Sequence, residues 1–228
     1  MFILGDARLP LRIRQKLADY GLFIPFYTRR LVYEAISGHP DIFFCSGPHQ
    51  QVVAPNLPEK YLRFLKENAI AFRTGNLPAE KQYPHTARYN AVITDKFIIH
   101  NPKITDRRIQ ETFPEKKFIA VKQGYVRCNL LHLKDDIFIT SDPGIDKTLK
   151  NEGLRSQYFP PEGIILPGFS HGFIGGSLSL YNNNVLINGS LSYYSKGKRL
   201  KQLILETGFR PVELYDGPLF DGGGLLFL

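Results

Sequence analysis

Residues 221–228, Asp-Gly-Gly-Gly-Leu-Leu-Phe-Leu (DGGGLLFL), set four apolar residues behind three consecutive glycines at the C-terminal end of the sequence. An unpaired apolar strand is an aggregation risk, and a chain end is loose unless something ties it down. The stretch therefore predicts a partner strand elsewhere. Residues 2–6, FILGD, are the natural candidate: a short apolar strand ending in Asp, followed by LPLRIRQKLADYG, a helix stopped at Gly21, and LFIPFY, a further strand. Read together, the two ends supply strand, strand, helix and strand, one unit split between the termini.

The same order recurs four times inside the chain. Residues 41–74 hold the strands IFFC and QVVA, a helix within LPEKYLRFLKENA with Pro58 early in it, and the strand IAFRTG. Residues 89–122 hold NAVITDKFIIHN, with Thr94-Asp95 as a hairpin turn, then the helix ITDRRIQETF and the strand KFIAVK. Residues 127–160 hold NLLHLKDDIFITSD, the helix GIDKTLKNEG stopped at Gly153, and SQYF. Residues 175–215 hold GGSLSLYNNNVLING, whose Asn-rich turn tolerates left-handed backbone, then GKRLKQLILETG and RPVELY. Residues 221–228 with 1–27 make the fifth unit. The polar residues closing the second strands, Asp6, Asn56, Asn101, Asp142 and Asn188, recur at a period of about 46 residues. Five such units account for all 228 residues. The expected architecture is a single α/β domain, a pseudo-fivefold α/β propeller, with its ring closed by pairing of the N- and C-terminal strands.

Composition narrows the setting. A 43% apolar content supports a globular core, and the 16 Pro and 20 Gly are scattered rather than gathered into a linker. Two cysteines, Cys45 and Cys128, cannot build a disulfide framework or a cysteine-based zinc site. No apolar run approaches the roughly 20 residues of a membrane span, and the start lacks the basic leader and long apolar stretch of a signal peptide. A reducing, cytoplasmic setting and no membrane partner are expected. The net charge of +8 admits nucleic acid as a partner. Its densest groups, FYTRR, PEKK and SKGKRLK, read instead as solvated faces, so nucleic acid is not favoured.

A ring of five such units resembles the pentein fold, that of arginine deiminase, dimethylarginine dimethylaminohydrolase, glycine amidinotransferase and agmatine deiminase, and of a non-enzymatic ribosome anti-association factor. GFIGGSLSLY and FDGGGLLFL resemble the glycine-rich strand starts of those enzymes. AISGHPDI, VKQGYVRC, ITSDPGI, GFIGG and DGPLFDGG are similar to motifs of an uncharacterised bacterial family assigned to this fold. The resemblance covers nearly the whole chain and brings no established activity. It implies a nucleophilic cysteine just after the glycines of the last repeat, attacking a guanidinium carbon. Leu225, Leu226 and Phe227 stand there instead.

Two sets of polar residues are expected to converge on the central channel: Asp41, Asn90, Asn129 and Ser177, with Gly224, at the starts of first strands, and the five residues closing the second strands. The competing explanation is that Asn and Asp simply make turns there. Cys128, in GYVRCNLL, occupies the nucleophile's register in a different repeat. With His39 or His171, and Asp41 or Asp142, it forms a candidate hydrolytic set. The alternative is a buried apolar thiol with structural histidines. Lys122 is a candidate for binding a carboxylate or phosphate, and Cys45 reads as packing. His49, His85, His100 and His132 share no metal-ligand spacing, and the triple glycine precedes a strand rather than a helix, so it is no phosphate loop. No metal and no cofactor are expected.

These features predict a small polar ligand, guanidino or amino-acid-like, in the central channel, without the usual last-repeat cysteine. The alternatives are a guanidino hydrolase or transferase using Cys128, and a non-enzymatic binder of RNA or the ribosome.

Overall fold

The computed structural model describes all 228 residues, Met1–Leu228. Strands β1 (Phe2–Asp6) and β2 (Leu22–Phe26) flank helix α1 (Leu11–Leu17). Next come β3 (Phe44–Ser46), β4 (Gln51–Val53), α2 (Glu59–Glu67) and β5 (Phe72–Thr74), then β6 (Val92–Ile93), β7 (Phe97–His100), α3 (Arg107–Thr112) and β8 (Lys117–Ala120). A short α4 (Val126–Asn129) leads into β9 (Leu130–His132), β10 (Ile137–Thr140), α5 (Pro143–Asn151) and β11 (Arg155–Tyr158). Another short helix, α6 (Ile174–Ser177), leads into β12 (Leu178–Tyr181), β13 (Asn184–Ile187), α7 (Gly197–Glu206) and β14 (Arg210–Glu213). The chain ends with β15 (Leu226–Phe227).

The strands form five three-stranded sheets, each with its middle strand antiparallel to the first and parallel to the third. A helix makes each parallel crossover, since two parallel strands cannot be joined by a tight turn. The split unit forms as the terminal sequences predict. β15 pairs antiparallel with β1, with Ile3 opposite Phe227 and Leu4 opposite Leu226. Phe2 and Leu228 exchange both backbone bonds at 2.9 Å. The five sheets are separate, so no continuous sheet closes on itself.

The helices bury one stripe each, as their spacing requires. The buried residues recur four apart: Ile13 and Leu17, Tyr61 and Leu65, Ile145 and Leu149, Leu200 and Ile204. Each such aliphatic side chain contributes about 1.5–3 kcal/mol on burial. Gly153 and Gly208 end α5 and α7 in the left-handed region, at φ 78° and 83°, which a β-carbon would penalise.

Two local expectations are corrected. The β6–β7 turn is Asp95-Lys96, because Thr94 already bonds across the ladder to Phe97; the Thr94 hydroxyl then accepts from the Lys96 and Phe97 amides. The first strands also begin later than their apolar runs. Ile42, Asn129 and Gly175–Ser177 belong to short helical turns ahead of β3, β9 and β12. No helix is long and apolar enough to cross a membrane.

Candidate functional site

All five first strands line one cavity of about 310 Å³, through residues such as Phe44, Val92, Leu131, Leu180 and Leu226. Its walls are mainly apolar, and Asp41, Arg127 and Gly223 reach it from the strand starts. There a buried polar cluster is assembled from segments far apart in sequence.

Asp41 sits in the helical turn Pro40–Ile42, with Pro40 starting the turn and His39 just before it. Cys128 sits in α4. Its Sγ lies 3.0 Å from Asp41 Oδ2 and donates to it. Asn90 ties the two segments together: its Oδ1 accepts from the Cys128 amide at 3.1 Å, and its Nδ2 donates to the Asp41 carbonyl at 3.1 Å and to Cys128 Sγ at 3.3 Å. His39 lies between two further carboxylates, with Nε2 3.9 Å from Asp6 Oδ2 and Nδ1 4.0 Å from Asp221 Oδ1. Asp6 is neutralised by Arg8, whose Nη2 reaches Oδ2 at 2.6 Å and whose Nε reaches Oδ1 at 3.0 Å. Asp221 accepts from the Phe173 and Gly223 amides at 2.8 and 3.0 Å. Small residues make this closeness possible. A β-carbon on Gly176 would overlap the Asp221 carboxylate, and one on Gly223, at φ 70°, would overlap His39 and Asp41.

Asp6, His39, Asp41, Asn90, Cys128 and Asp221 are all buried, and burial is the largest influence on Asp41, Cys128 and Asp221. It pushes the Asp41 carboxyl up to about 6, against the opposing pull of the Arg127 guanidinium and the bonds from Cys128 and Asn90. Burial also raises Asp221, opposed by His39 and the two backbone amides. The Cys128 thiol is raised well above its ordinary value, by burial first and then by the charges of Asp41 and Asp221. Within the Cys128–Asp41 pair the proton therefore rests on sulfur. Both His39 ring nitrogens and Asp41 Oδ1 are buried with no hydrogen-bond partner. Tyr33 is close enough for Cys128, Asp221 and Asp41 to raise its hydroxyl, after burial. Its hydroxyl bonds Tyr125 at 3.1 Å, which also bonds Thr86.

Of the residues expected at the channel, the structure brings together Asp6, His39, Asp41, Asn90 and Cys128. The others lie elsewhere. His171 is half-buried, with Nδ1 against the neighbouring Gly172 carbonyl and its ring edge-on to Phe173. Asp142 caps α5 through the Ile145 amide at 2.8 Å and accepts from Gln123. Asn101 bonds the Lys122 carbonyl, and the Lys122 side chain is exposed. Asn56 bonds both backbone groups of Ala79. Asn129 is buried but spends its amide on the Tyr125 carbonyl and the Ser141 hydroxyl. Ser177 bonds the Ile174 carbonyl inside α6. These Asn, Asp and Ser side chains are spent on structural hydrogen bonds, several of them between distant segments. Cys45 is buried, its Sγ against the Ala91 carbonyl. Leu225, in the register where the resemblance implies a cysteine, is buried and lines the cavity. Asp221, Arg8 and Arg127 were not foreseen. The available signal for Asp221 was its place immediately before a run of glycines, where a carboxylate needs neighbours without side chains.

Several solved structures share the fold. A DDAH from Pseudomonas aeruginosa, complexed with citrulline, superposes with a TM-score of 0.54 at 10% identity, over 93% of this chain and 91% of that one. SxtG, an amidinotransferase from Microseira wollei, gives 0.53 at 11% identity over 92% and 87%. C. jejuni agmatine deiminase gives 0.52 at 8% identity over 72% and 59%. No curated protein matches the sequence. At these identities the likeness concerns the fold, which is the pentein fold. The family model that matches spans residues 4–226, and the chain accordingly belongs to the family of unknown function DUF6873.

Proposed function

We propose that this protein takes a small organic cation of the guanidino or amidino class in the cavity beside Asp41, with Cys128 as the attacking thiol of a C–N bond hydrolysis or group transfer. The observation that carries the reading is the cluster itself. A cysteine and a histidine share a buried site with three carboxylates, of which Asp6 has a salt-bridging guanidinium, Arg8, and Asp41 and Asp221 have none within salt-bridge range. Buried carboxylates without a cation are costly, and His39 and Asp41 hold unused polar atoms. A planar cation bearing N–H groups supplies both the charge and the donors. It also stabilises a thiolate that burial and the neighbouring carboxylates disfavour. The enzymes sharing the fold, by name an amidinotransferase and an agmatine deiminase, support this ligand class. The five units are proposed to stand as a pseudo-fivefold ring around the ligand, a reading supported by the five first strands that line one cavity. A reducing, cytoplasmic setting belongs to the same reading, since Cys128 must remain a thiol.

In this mechanism Cys128 gives its proton to Asp41, and the sulfur forms a bond to the central carbon of the cation. The C–N electron pair leaves with the amine, which takes a proton from His39. Water then attacks the carbon and returns a proton to His39. The C–S pair returns to sulfur, which is reprotonated from Asp41. The protein's net charge of +8 opposes long-range attraction of a cation, so selection must act at contact, through Asp41 and Asp221.

The test is a panel of guanidino and amidino compounds, read by thermal shift and by release of ammonia, amine or a urea-type product. Turnover abolished in Cys128→Ala, with the thermal shift retained, is the expected result. Shifts without turnover in the wild type would make the protein a binder only. Neither response in a folded protein would refute the reading, and RNA retention that falls steeply with salt would point to nucleic acid instead.

A further inference from the structure

We propose that His39, Asp41 and Cys128 bind a divalent transition-metal ion of the Zn²⁺ type. One imidazole nitrogen, one carboxylate oxygen and the thiol sulfur already lie within 4.8 Å of one another. A tetrahedral ion with bonds of about 2.0–2.3 Å holds its ligands about 3.5 Å apart, so small side-chain adjustments close the site. The inference rests on this geometry and not on the catalytic reading.

The unused hydrogen-bonding groups point the same way. Buried polar atoms almost always have partners, yet both His39 nitrogens and Asp41 Oδ1 have none. An ion would satisfy a nitrogen and the carboxylate together. Whichever nitrogen coordinates, the other faces a carboxylate, Asp6 at 3.9 Å or Asp221 at 4.0 Å. That carboxylate–histidine–metal arrangement is how ligating imidazoles are commonly oriented. A thiolate and a carboxylate together neutralise the dication, so the occupied trio carries no net charge. Thiolate and imidazole select Zn²⁺ or Co²⁺ over Mg²⁺ or Ca²⁺. Three protein ligands leave a fourth position open, and Asp41 borders the cavity. The spacing hides the site from motif searches, because Cys128 is 87 residues from Asp41. The metal and an organic cation would compete for the same side chains.

The test uses the full chain, reduced, stripped with a chelator and titrated with Co²⁺ alone. The expected result is one equivalent bound, with sulfur-to-cobalt charge-transfer absorption in the near ultraviolet, displaced by Zn²⁺. Calorimetry in buffers of different ionisation enthalpy should show about one proton released as the thiol deprotonates. Loss of an outer-shell partner typically costs 10–100-fold in affinity, so His39→Ala should weaken binding by at least about tenfold. Cys128→Ser should abolish the charge-transfer absorption and Cys45→Ser should leave it. The chain has only two cysteines, so retention in Cys45→Ser assigns the sulfur to Cys128 even if Cys128→Ser fails to fold. Absence of the band in folded wild-type protein, its loss in folded Cys45→Ser, or its persistence in Cys128→Ser overturns the proposal. Turnover of a guanidino compound without a cobalt band would overturn the metal site alone. A cobalt band without turnover would leave it standing and remove the catalytic reading.

Discussion

At the scale of single residues, charge sets the reactivity expected of Cys128. Cys128 is buried and faces Asp41, with Asp221 close enough to raise its thiol further. A neutral electrophile therefore meets a protonated sulfur. A cationic electrophile of the same size brings its own counter-charge, which stabilises the thiolate it needs. Chloroacetamidine should consequently modify Cys128 at least tenfold faster than chloroacetamide, a difference of about 1.4 kcal/mol in the barrier, read as Cys128-containing peptide by mass spectrometry. Equal rates would mean that the carboxylates do not act on the sulfur. Cys45 provides the internal control, since burial, with a smaller push from the Asp106 charge, raises its thiol and no carboxylate bonds it. The sequence made Cys128, His39 and Asp41 legible because each lies at the start of a readable strand. It could not distinguish them from Asn101, Asp142 or Asn129, because a polar residue beside a strand serves equally as a cap, a turn or a ligand. Only the direction of the side chain separates these roles.

At the scale of elements, alternation of apolar strands with polar turns and glycine stops was enough to place nearly every strand and helix. The short turns before the first strands were not legible, because GGS and RCN directly adjoin the strand runs LSLY and LLHL and read as the starts of those strands. One of them packs against the buried carboxylate, since a β-carbon on Gly176 would overlap Asp221. The second strands carry a different kind of buried polar group. His100 closes β7 with Nε2 donating to the Gly124 carbonyl at 2.9 Å and Nδ1 against the Thr105 hydroxyl at 2.8 Å. Burial pushes it down to about 4, only partly offset by bonds to the Gly124 and Ala87 carbonyls. The folded protein thus keeps His100 neutral where the unfolded chain, near 6.5, takes up a proton. Its contribution to stability is present above pH 6.5, falls as the pH drops through 6.5 toward 4, and is flat below. The total is roughly 3 kcal/mol. Chemical denaturation of wild type and His100→Asn at several pH values should show a difference that shrinks by about this amount between pH 6.5 and 4. The buried acidic groups near Cys128 titrate alike in both proteins and cancel in the comparison. A pH-independent difference would mean that His100 is accessible to protons in the folded state.

At the scale of the whole molecule, the question is whether the terminal strand is an appendage or a structural member. Leu225 packs in a core cluster with Ile3, Leu9, Ile13, Leu17, Leu186 and Leu214, joining β1 and α1 to β13 of the neighbouring unit. Its amide donates to Ser179 Oγ at 2.7 Å, a second tie to that unit. Removing Leu225–Leu228 therefore costs the β15 ladder, the paired bonds between Phe2 and Leu228, and a buried leucine that alone is worth about 2–5 kcal/mol. Such a loss is a large part of the stability of an ordinary domain, so the truncated chain should melt far below the intact one or fail to fold. That result alone could reflect any damage to the core. A circular permutant separates the causes. Joining Leu228 to Met1 through a short glycine linker, and opening the exposed loop between Lys81 and Gln82, keeps every contact of β15 while moving the ends. If pairing between the terminal strands is what matters, the permutant should melt close to the wild type and retain its cobalt or guanidino response, while the truncation loses both. Equal melting of truncated and intact protein would make DGGGLLFL a dispensable tail. A permutant as unstable as the truncation would show instead that the ends themselves, not their pairing, hold the fold together.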